Sequence, residues 1–480
     1  MNAPMRRVAI SVLVLFTLLI LNVNVIQVVR AEKLRTDPGN TRQLVEQYSR
    51  PRGSIVVDGS EVAKSVRTDD ELKYLRQYPA GPVYAPVTGY YSLVYGATGI
   101  EKAENDVLSG SDPRLFVRHV TDLFTGRDPS GGDVVLTLDG KTQTTAMNLL
   151  GGHVGAVVAL DPSSGKILAL ASSPTYDPNQ LSTHDPKAIR AYNAQLDLQH
   201  PNPTINQAIS ERYSPGSVFK VIVSAAALST GNYTPDTPIP APDVLPLPQS
   251  SHSLINFNHE SCNGGADQPL IGALTVSCNT AFGQLGMTLG EDKVRSMAEA
   301  FGVDDKGFTT PLAVAPSTVG SIQGQAQLAN ASIGQQNVQI TPLEGAMIAA
   351  AVANHGTLMK PYLVDSVRAP DLTVIDQTDP QVMSHPVSSQ VADELTTMMT
   401  SVVTSGTGKK AQIPGVQVAG KTGTAQTDPE ANDNSWFVGF AKGQHPIAVA
   451  VFIKGGGRTG GDISAPIARQ VMQTYLAGAG

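Results

Sequence analysis

Residues 155–172 read GAVVALDPSSGKILALAS, two apolar runs on either side of Asp161-Pro162-Ser163-Ser164-Gly165. Turn-forming residues between two such runs predict a β-hairpin. Further apolar runs near the C-terminus predict three strands, at 416–420, 435–441 and 446–454. Helices are predicted between and after these strands, at 215–229, 279–289, 291–301, 341–354, 388–404 and 464–477. This order predicts an α+β fold, in which one antiparallel sheet flanked by helices contains both the hairpin and the late strands.

The composition is that of a globular protein. The chain has 480 residues, of which 41% are hydrophobic and 16% are charged, and its net charge is −7. This length exceeds one ordinary domain. No block of like charge occurs, and the nine histidines are scattered without the spacing of zinc ligands. We therefore expect no nucleic-acid partner, no metal and no cofactor.

The N-terminus contains a long apolar segment. Residues 8–29 read VAISVLVLFTLLILNVNVIQVV and carry no charge. As a helix they would be about 33 Å long, enough to span a bilayer. We predict a single-pass membrane anchor, and a cleaved signal peptide ending near Val29-Arg30-Ala31 remains the alternative. Both interpretations place the residues after about 35 outside the cytoplasm, at the extracellular side of the cell membrane.

The chain has two cysteines, Cys262 and Cys278. In an exported protein they would form a disulfide closing a loop of about 15 residues, worth about 3 kcal/mol of stability. In a cytosolic protein they would be two buried thiols. The predicted export favours the disulfide.

Three parts are predicted along the chain. Residues 1–30 would be a short cytoplasmic tail and the membrane anchor. Residues 31–150 are more charged and more interrupted, with short strands after Arg52-Gly53-Ser54-Ile55 and at 134–138, and are predicted to form a non-catalytic platform. Residues 151–480 would form the larger domain.

The stretch YSPGSVFKV, residues 213–221, places a lysine among apolar residues. Lys220 would be a snorkelling surface lysine, half of an ion pair, or the base for a nucleophilic serine. Ser217 lies three residues before it, on the same face of the predicted helix and near the N–H groups of the first turn. Burial and a second cation nearby would both lower the pKa of Lys220, so that it takes the serine proton.

Two other short segments carry suitable side chains. Ser277-Cys278-Asn279 begins a predicted helix, where its polar residues would otherwise serve as turn and N-cap. Lys421-Thr422-Gly423-Thr424 follows an apolar run ending at Gly420. Its lysine would be the second cation, its two hydroxyls suit a carboxylate, and Gly423 lets another group approach the backbone closely.

Taken together, in this order, the three segments are S-x-x-K, S-x-N and K-T-G, the motifs of enzymes that react with penicillin. The chain resembles the penicillin-binding proteins and serine β-lactamases over residues 150–480. Asp139, the hairpin and Ser332-Ile333-Gly334-Gln335 also resemble that family. Arg52-Gly53-Ser54-Ile55 after an anchor resembles a class B penicillin-binding protein, most similar to the actinobacterial penicillin-binding protein A group.

The resemblance implies a serine-type peptidoglycan D,D-transpeptidase. Ser217 would be the nucleophile that attacks the D-Ala–D-Ala bond of a stem peptide, and Lys220 the general base. Ser277 would relay the proton to the departing D-Ala, and Asn279 would hold Lys220 and the substrate amide. A neighbouring amine would then take the acyl group to form a cross-link.

The K-T-G segment is implied to bind the rest of the substrate. Thr422 and Thr424 would bind the terminal carboxylate, and Lys421 would supply positive potential. The backbone N–H groups of Ser217 and Thr424 would form the oxyanion hole. β-Lactams would acylate the same serine.

Some features depart from the family pattern. Cys278 stands where an acid is more usual, and a bond to Cys262 would fix the segment that carries Ser277 and Asn279. Ser261-Cys262-Asn263 repeats the motif, but its position before the loop speaks against a catalytic role. Residues 406–410, GTGKK, only faintly resemble a phosphate-binding loop.

Other functions of the same fold remain open. A β-lactamase of class A needs a glutamate that activates water, and none occurs between Glu299 and Glu344. A D,D-carboxypeptidase would use water instead of the amine. A β-lactam receptor or a division scaffold is the non-enzymatic alternative. The expected partners are stem peptides, β-lactams, the lipid bilayer and a polytopic glycan polymerase or division protein.

Overall fold

The computed structural model describes residues 2–29, 47–115, 130–303, 307–425 and 432–478. The chain forms two compact units, one of residues 1–51 and 66–75, the other of residues 52–65 and 76–480. In the described ranges the α-helices are α1 (Asn2–Asn24), α2 (Gly81–Thr88), α3 (Gly99–Ala103), α4 (Asn105–Ser109), α5 (Gly140–Leu150), α6 (Pro186–Asp197), α7 (Lys220–Ser229), α8 (Leu270–Thr275), α9 (Asn279–Leu289), α10 (Glu291–Ala300), α11 (Gly324–Ala331), α12 (Pro342–Ala353), α13 (Ser389–Thr404) and α14 (Ser464–Gly478). The strands are β1 (Ile55–Val57), β2 (Ser60–Arg67), β3 (Tyr74–Gln77), β4 (Tyr91–Ser92), β5 (Gly96–Ala97), β6 (Asp133–Leu136), β7 (Gly155–Leu160), β8 (Ile167–Ser173), β9 (Pro238–Ile239), β10 (Val244–Pro246), β11 (Ser253–Ile255), β12 (Gln268–Pro269), β13 (Leu358–Met359), β14 (Val364–Arg368), β15 (Val374–Gln377), β16 (Val382–Ser384), β17 (Val418–Ala425), β18 (Asn434–Ala441) and β19 (Ile447–Ile453).

The first unit contains the N-terminal apolar helix. Helix α1 continues into a π-helical turn at Val25–Val29. Within these elements, Ala3–Gln27 are long and apolar enough to cross a membrane. Length and composition of this kind suit an anchor and a signal sequence alike, so both sequence interpretations stand.

The central sheet of the second unit has the order β17-β18-β19-β7-β8, and all neighbouring strands are antiparallel. Strand β7 of the hairpin pairs with the late strand β19, with Val157 opposite Val451. The predicted α+β fold, with one antiparallel sheet joining the hairpin to the late strands, is confirmed.

Helices cover both faces of this sheet. Val158 and Trp436 lie in the core that contains α12, whereas their neighbours Val157 and Phe437 lie in the core that contains α5 and α14. Because side chains alternate between the faces of a strand, burial of both faces produces the continuous apolar runs of the sequence.

The helix that follows the serine differs from the sequence prediction. A single helix was expected over 215–229, but the chain forms a 3-10 helix at Gly216–Phe219 and only then α7 from Lys220. The tighter turn places Ser217 before the α-helix rather than in its first turn.

A second sheet has the order β15-β14-β6-β1-β2-β3. Strand β6 pairs in parallel with β1 and in antiparallel with β14. Residues 364–377, far along the chain, therefore complete a sheet that begins after Arg52-Gly53-Ser54-Ile55. The division of the chain at residues 30 and 150 stays a prediction.

Buried charges hold the start of β1 in place. Glu101 is fully buried, and its carboxylate accepts hydrogen bonds from Arg52 Nε (3.1 Å) and Arg76 Nε (2.5 Å). Arg76 also donates to the Gly53 carbonyl (2.8 Å), and the Arg52 guanidinium lies 4.1 Å from the centre of the Tyr91 ring. Loss of one partner from such a network leaves a buried charge unpaired and is strongly destabilising.

Candidate active site

The turn that carries Ser217 lies against the edge strand β17. Gly216 has φ +52, and a Cβ added there would lie 2.6 Å from the Thr424 carbonyl oxygen. Its N–H donates to the Gly334 carbonyl (3.0 Å), within the Ser332–Gln335 stretch singled out in the sequence. A side chain at Gly216 would therefore force the serine away from the strand.

Gly423 allows the same close approach from the strand side. A Cβ on Gly423 would lie 2.6 Å from the Pro215 carbonyl oxygen and 2.9 Å from Trp436 Cβ. The segment Lys421–Thr424 lies inside β17, where strand pairing with β18 fixes it. The sequence predicted that some group approaches the backbone at Gly423, and this group is the carbonyl of Pro215, two residues before Ser217.

Lys220 is completely buried, and its amine is held by the Ser277-Cys278-Asn279 segment. Its Nζ donates to the Ser277 carbonyl oxygen and to Asn279 Oδ1, each at 2.7 Å, and lies 3.4 Å from Ser277 Oγ. Among the described residues, no hydrogen bond joins this amine to Ser217 Oγ. The amine is neither at the surface nor in an ion pair there, which removes two of the three interpretations open in the sequence.

Lys421 also contacts Ser277. This lysine is also completely buried, and its Nζ donates to Ser277 Oγ (2.8 Å) and to the Thr422 carbonyl (2.9 Å). Ser277 therefore lies between two amines. Its φ is +64, a left-handed conformation that costs energy in a residue other than glycine and is often found at functional sites.

Burial changes the protonation of both lysines. It lowers the pKa of Lys220 well below the ordinary 10.5, and the charge of Lys421 lowers it further. Burial alone lowers the pKa of Lys421 to about 7. Removal from water disfavours the charged form of an amine. Both lysines therefore lose their proton at lower pH than a surface lysine does.

The hydroxyls of the K-T-G segment have partners in the neighbouring loops. Thr422 Oγ1 lies 2.6 Å from Thr407 Oγ1, and Thr424 Oγ1 accepts a hydrogen bond from the Gly460 N–H (3.4 Å). Thr407 belongs to the GTGKK stretch, residues 406–410, which only faintly resembles a phosphate-binding loop. The structure places this stretch beside the site through a hydroxyl, not as a phosphate loop.

A disulfide joins Cys262 to Cys278, with their Cα atoms 5.8 Å apart. Cys278 is the middle residue of the segment that holds Lys220. Ser261, the serine of the repeated Ser-Cys-Asn motif, is exposed, and both buried amines contact Ser277 instead. The bond therefore ties a surface loop to the segment between the two lysines.

Asn256 was not predicted from the sequence. Its side-chain Oδ1 accepts hydrogen bonds from the backbone N–H groups of Asn279 (2.8 Å) and Thr280 (3.1 Å). It lies 23 residues before Asn279 in an irregular stretch, and no spacing in the sequence signals the contact.

Comparison with known proteins identifies the family. Residues 155–473 match the family described as the penicillin binding protein transpeptidase domain. The chain belongs to the penicillin-binding proteins. Residues 52–134 match the penicillin binding protein A dimerisation domain. The predicted class B family, and within it the penicillin-binding protein A group, is confirmed.

Individual relatives are similar to this chain over nearly its whole length. The peptidoglycan D,D-transpeptidase PbpA of Mycolicibacterium smegmatis is 47% identical over 99% of each chain. PbpA of Mycobacterium tuberculosis is 47% identical over 100% of each chain. The solved structure of penicillin-binding protein A from M. tuberculosis as a ceftriaxone acyl-enzyme is 46% identical, with a TM-score of 0.87 over 90% of this chain and 100% of that chain. The penicillin G acyl-enzyme of the same protein has a TM-score of 0.85 and 46% identity over 89% of this chain and 100% of that chain.

Proposed function

We propose that this penicillin-binding protein is a peptidoglycan D,D-transpeptidase that works through an acyl-enzyme on Ser217. The donor would be the D-Ala–D-Ala end of a stem peptide, and a neighbouring amine would take the acyl group. The observation that carries the proposal is the buried amine of Lys220, held by two oxygen acceptors beside the turn that bears the serine.

The hydrogen bonds of Lys220 suit an uncharged base. A neutral amine has two N–H bonds and one lone pair. The two short contacts, to the Ser277 carbonyl and Asn279 Oδ1, use acceptors that cannot donate in return. In a neutral amine these two acceptors would occupy both N–H bonds, since the third contact, to Ser277 Oγ, is longer at 3.4 Å. The lone pair would then accept the Ser217 proton as the oxygen attacks.

Ser277 would pass this proton to the leaving group. Its Oγ lies 3.4 Å from the Lys220 amine and 2.8 Å from the Lys421 amine. When the tetrahedral intermediate collapses, the C–N bond breaks and the D-Ala nitrogen needs a proton. The hydroxyl of Ser277 would give its proton to that nitrogen and regain one from Lys220 or Lys421.

The edge strand would bind the remaining substrate groups. The hydroxyls of Thr422 and Thr424 would donate hydrogen bonds to the terminal carboxylate, which the positive charge of Lys421 would attract. The backbone N–H groups of Ser217 and Thr424 would stabilise the oxyanion, and their proximity is supported by the contact between Gly216 and the Thr424 carbonyl. A donor of this kind is typically worth about 10²–10³ in rate.

A membrane-anchored arrangement fits this chemistry. We infer that residues 1–30 hold the protein in the cell membrane, that residues 31–150 form a platform, and that residues 151–480 act outside the cell. The disulfide favours an oxidising compartment. The anchor and platform would be the surfaces for a polytopic glycan polymerase or division protein.

The direct test supplies both substrates to the full-length protein in detergent. With a synthetic peptide ending in D-Ala-D-Ala and an excess of acceptor amine, we expect release of D-Ala and a cross-linked product, because the ester on Ser217 is transferred to the amine. Mass spectrometry would follow both products, and Ser217→Ala is the control that should give neither.

The other possible products separate the alternative functions. Hydrolysed peptide without cross-link, at every acceptor concentration, would indicate a D,D-carboxypeptidase. Rapid turnover of nitrocefin would indicate a β-lactamase, whereas we expect the penicillin acyl-enzyme to hydrolyse over hours. Absence of both peptide reaction and penicillin acylation would overturn the proposal.

A further inference from the structure

The helix that carries Asn279 receives its N-terminal cap from a distant residue. Helix α9 begins at Asn279, and Cys278 at the N-cap position makes no side-chain cap because its sulfur is in the disulfide. The free N–H groups of Asn279 and Thr280 donate instead to Asn256 Oδ1, at 2.8 and 3.1 Å. Asn256 thus accepts the kind of hydrogen bonds that an asparagine at the N-cap position itself normally accepts.

The same stretch also orients the Asn279 side chain. Asn279 Nδ2 donates to the carbonyl of Ile255 (3.1 Å), the residue before Asn256. With the amide nitrogen on that carbonyl, the amide oxygen must face the Lys220 amine, where it accepts a hydrogen bond at 2.7 Å. Residues 255–256 thus fix both the backbone and the side-chain orientation of Asn279.

The side chain of Asn256 is buried, with 5% of the residue exposed. Its Oδ1 has the partners described above, whereas its Nδ2 has no hydrogen-bond partner among the described residues. Asn256 precedes by six positions the disulfide cysteine Cys262, whose partner Cys278 is next to Asn279. The start of α9 is therefore held at two points, by a covalent bond at Cys278 and by the hydrogen bonds of Asn256.

We propose that Asn256 is a positioning residue for the acylation step, which it supports by keeping Asn279 Oδ1 against the Lys220 amine. This inference rests on the proposed function, since it assigns Asn256 a part in aligning the proposed base. Asn256 does not contact the substrate and is not a catalytic residue.

The physical effect would be on alignment. The two N–H bonds of an uncharged Lys220 point at the Ser277 carbonyl and at Asn279 Oδ1, and those two directions set where its lone pair points. If α9 loses its cap, the disulfide at Cys278 and the bond of Asn279 Nδ2 to Ile255 still hold its start, but the backbone of Asn279 loses one restraint. A shift of Asn279 Oδ1 would then turn the lone pair away from Ser217. A misplacement of about 1 Å at a reacting group can cost about 10²-fold in rate.

Asn256→Ala in the full-length protein tests the proposal. With fluorescent penicillin and rapid mixing, we expect the acylation rate at saturating penicillin to fall about 10²-fold, with little change in the concentration that gives half-saturation. A purely structural role would lower the melting temperature without this selective loss. Asn256→Asp, which keeps an oxygen acceptor for both N–H groups, should restore most of the rate.

Asp185→Ala is the matched control. Asp185 caps α6 in the same way, because its Oδ1 accepts from the N–H groups of Lys187 (2.9 Å) and Ala188 (3.3 Å), but it lies outside the site described above. This variant should acylate at the wild-type rate. If Asn256→Ala does not fold, Asn256→Leu, which is of similar size and has no acceptor, replaces it with the same expected loss.

Two results would overturn the inference. One is wild-type acylation by Asn256→Ala or, in its place, Asn256→Leu. The other is an Asn256→Asp variant as slow as the variant without an acceptor. Either result leaves the proposed function intact, provided that wild-type protein is acylated and Ser217→Ala is not. Loss of acylation in the wild type itself would reject the proposed function instead.

Discussion

Ser217→Ala is expected to abolish covalent labelling by penicillin. The alanine removes the oxygen proposed to form the ester, and Ser277, another serine of the motifs, already accepts a hydrogen bond from Lys421. Removal of a nucleophile of this kind costs about 10⁶ in rate. Fluorescent penicillin, followed by denaturing gel electrophoresis, would measure the loss, and cross-linking of the peptide substrates should disappear with it.

Ser261→Ala is the matched control for this experiment. Ser261 opens the repeated Ser-Cys-Asn motif and is exposed, so its loss should leave labelling unchanged. Ser217 is only partly buried, and its replacement by alanine removes a single oxygen atom, so the variant should fold normally. Equal labelling of wild type and Ser217→Ala would reject the assigned nucleophile.

Lys220→Met is expected to slow acylation by about 10²–10⁴-fold, the usual contribution of a general base. Methionine keeps the long unbranched shape of the lysine but has no amine to accept the serine proton. Methionine removes the cost of burying an amine but leaves the Ser277 carbonyl and Asn279 Oδ1 without their donor, so its two effects on stability oppose each other. Stopped-flow acylation would measure the loss of rate, and thermal unfolding the net change in stability.

Lys166→Met provides the corresponding control. Lys166 lies at the end of the hairpin turn and pairs with Asp365 at 2.8 Å, so its replacement removes a paired lysine without changing Lys220 or Lys421. It should acylate as the wild type does. If Lys220→Met were acylated at the wild-type rate, the base would have to be another group.

The sheet could be predicted because its strands carry their own signals. The hairpin has turn residues between two apolar runs, and β18 and β19 are long apolar runs. The helices that follow the serine motif were also predictable, and α9 begins and ends at the predicted residues, Asn279 and Leu289. Periodicity and turn chemistry are local properties, so a single sequence contains them.

The strands of the second sheet, which contains β1 and β14, could not all be predicted in the same way. Strands β14 and β15 come from residues 364–377 and join β6, more than 200 residues earlier. Pairing at this distance depends on the tertiary fold and has no local sequence pattern. The 3-10 turn at Gly216–Phe219 was also not predicted, and it lies where β17 approaches Gly216, a contact between segments more than 200 residues apart.

Within the site, the sequence predicted the motif residues but not the contacts that hold them in position. Ser217, Lys220, Ser277, Asn279 and Lys421 are recognisable from their spacing together. The left-handed conformation of Ser277, the cap supplied by Asn256 and the contact of Thr407 with Thr422 are not. These depend on loops whose conformation follows from packing around them, and such contacts decide how precisely the motifs are aligned.

In the proposed mechanism an uncharged, buried Lys220 takes the proton of Ser217, so the rate of acylation should depend on the pKa of this amine. Burial and the charge of Lys421 lower the pKa of Lys220. A base with a lowered pKa loses its proton early as pH rises, so the rate should increase with pH and level off well below 10.5. Lys421→Met removes the second cause, so the pKa of Lys220 should rise.

The measurement is the acylation rate constant from pH 5 to 10 for the wild type and Lys421→Met, by stopped flow with fluorescent penicillin. We expect a wild-type rate that levels off well below the ordinary lysine pKa, and a profile for Lys421→Met that is displaced to higher pH. A wild-type rate still rising near pH 10, or a profile that stays in place when Lys421 is removed, would show that Lys220 is not this base.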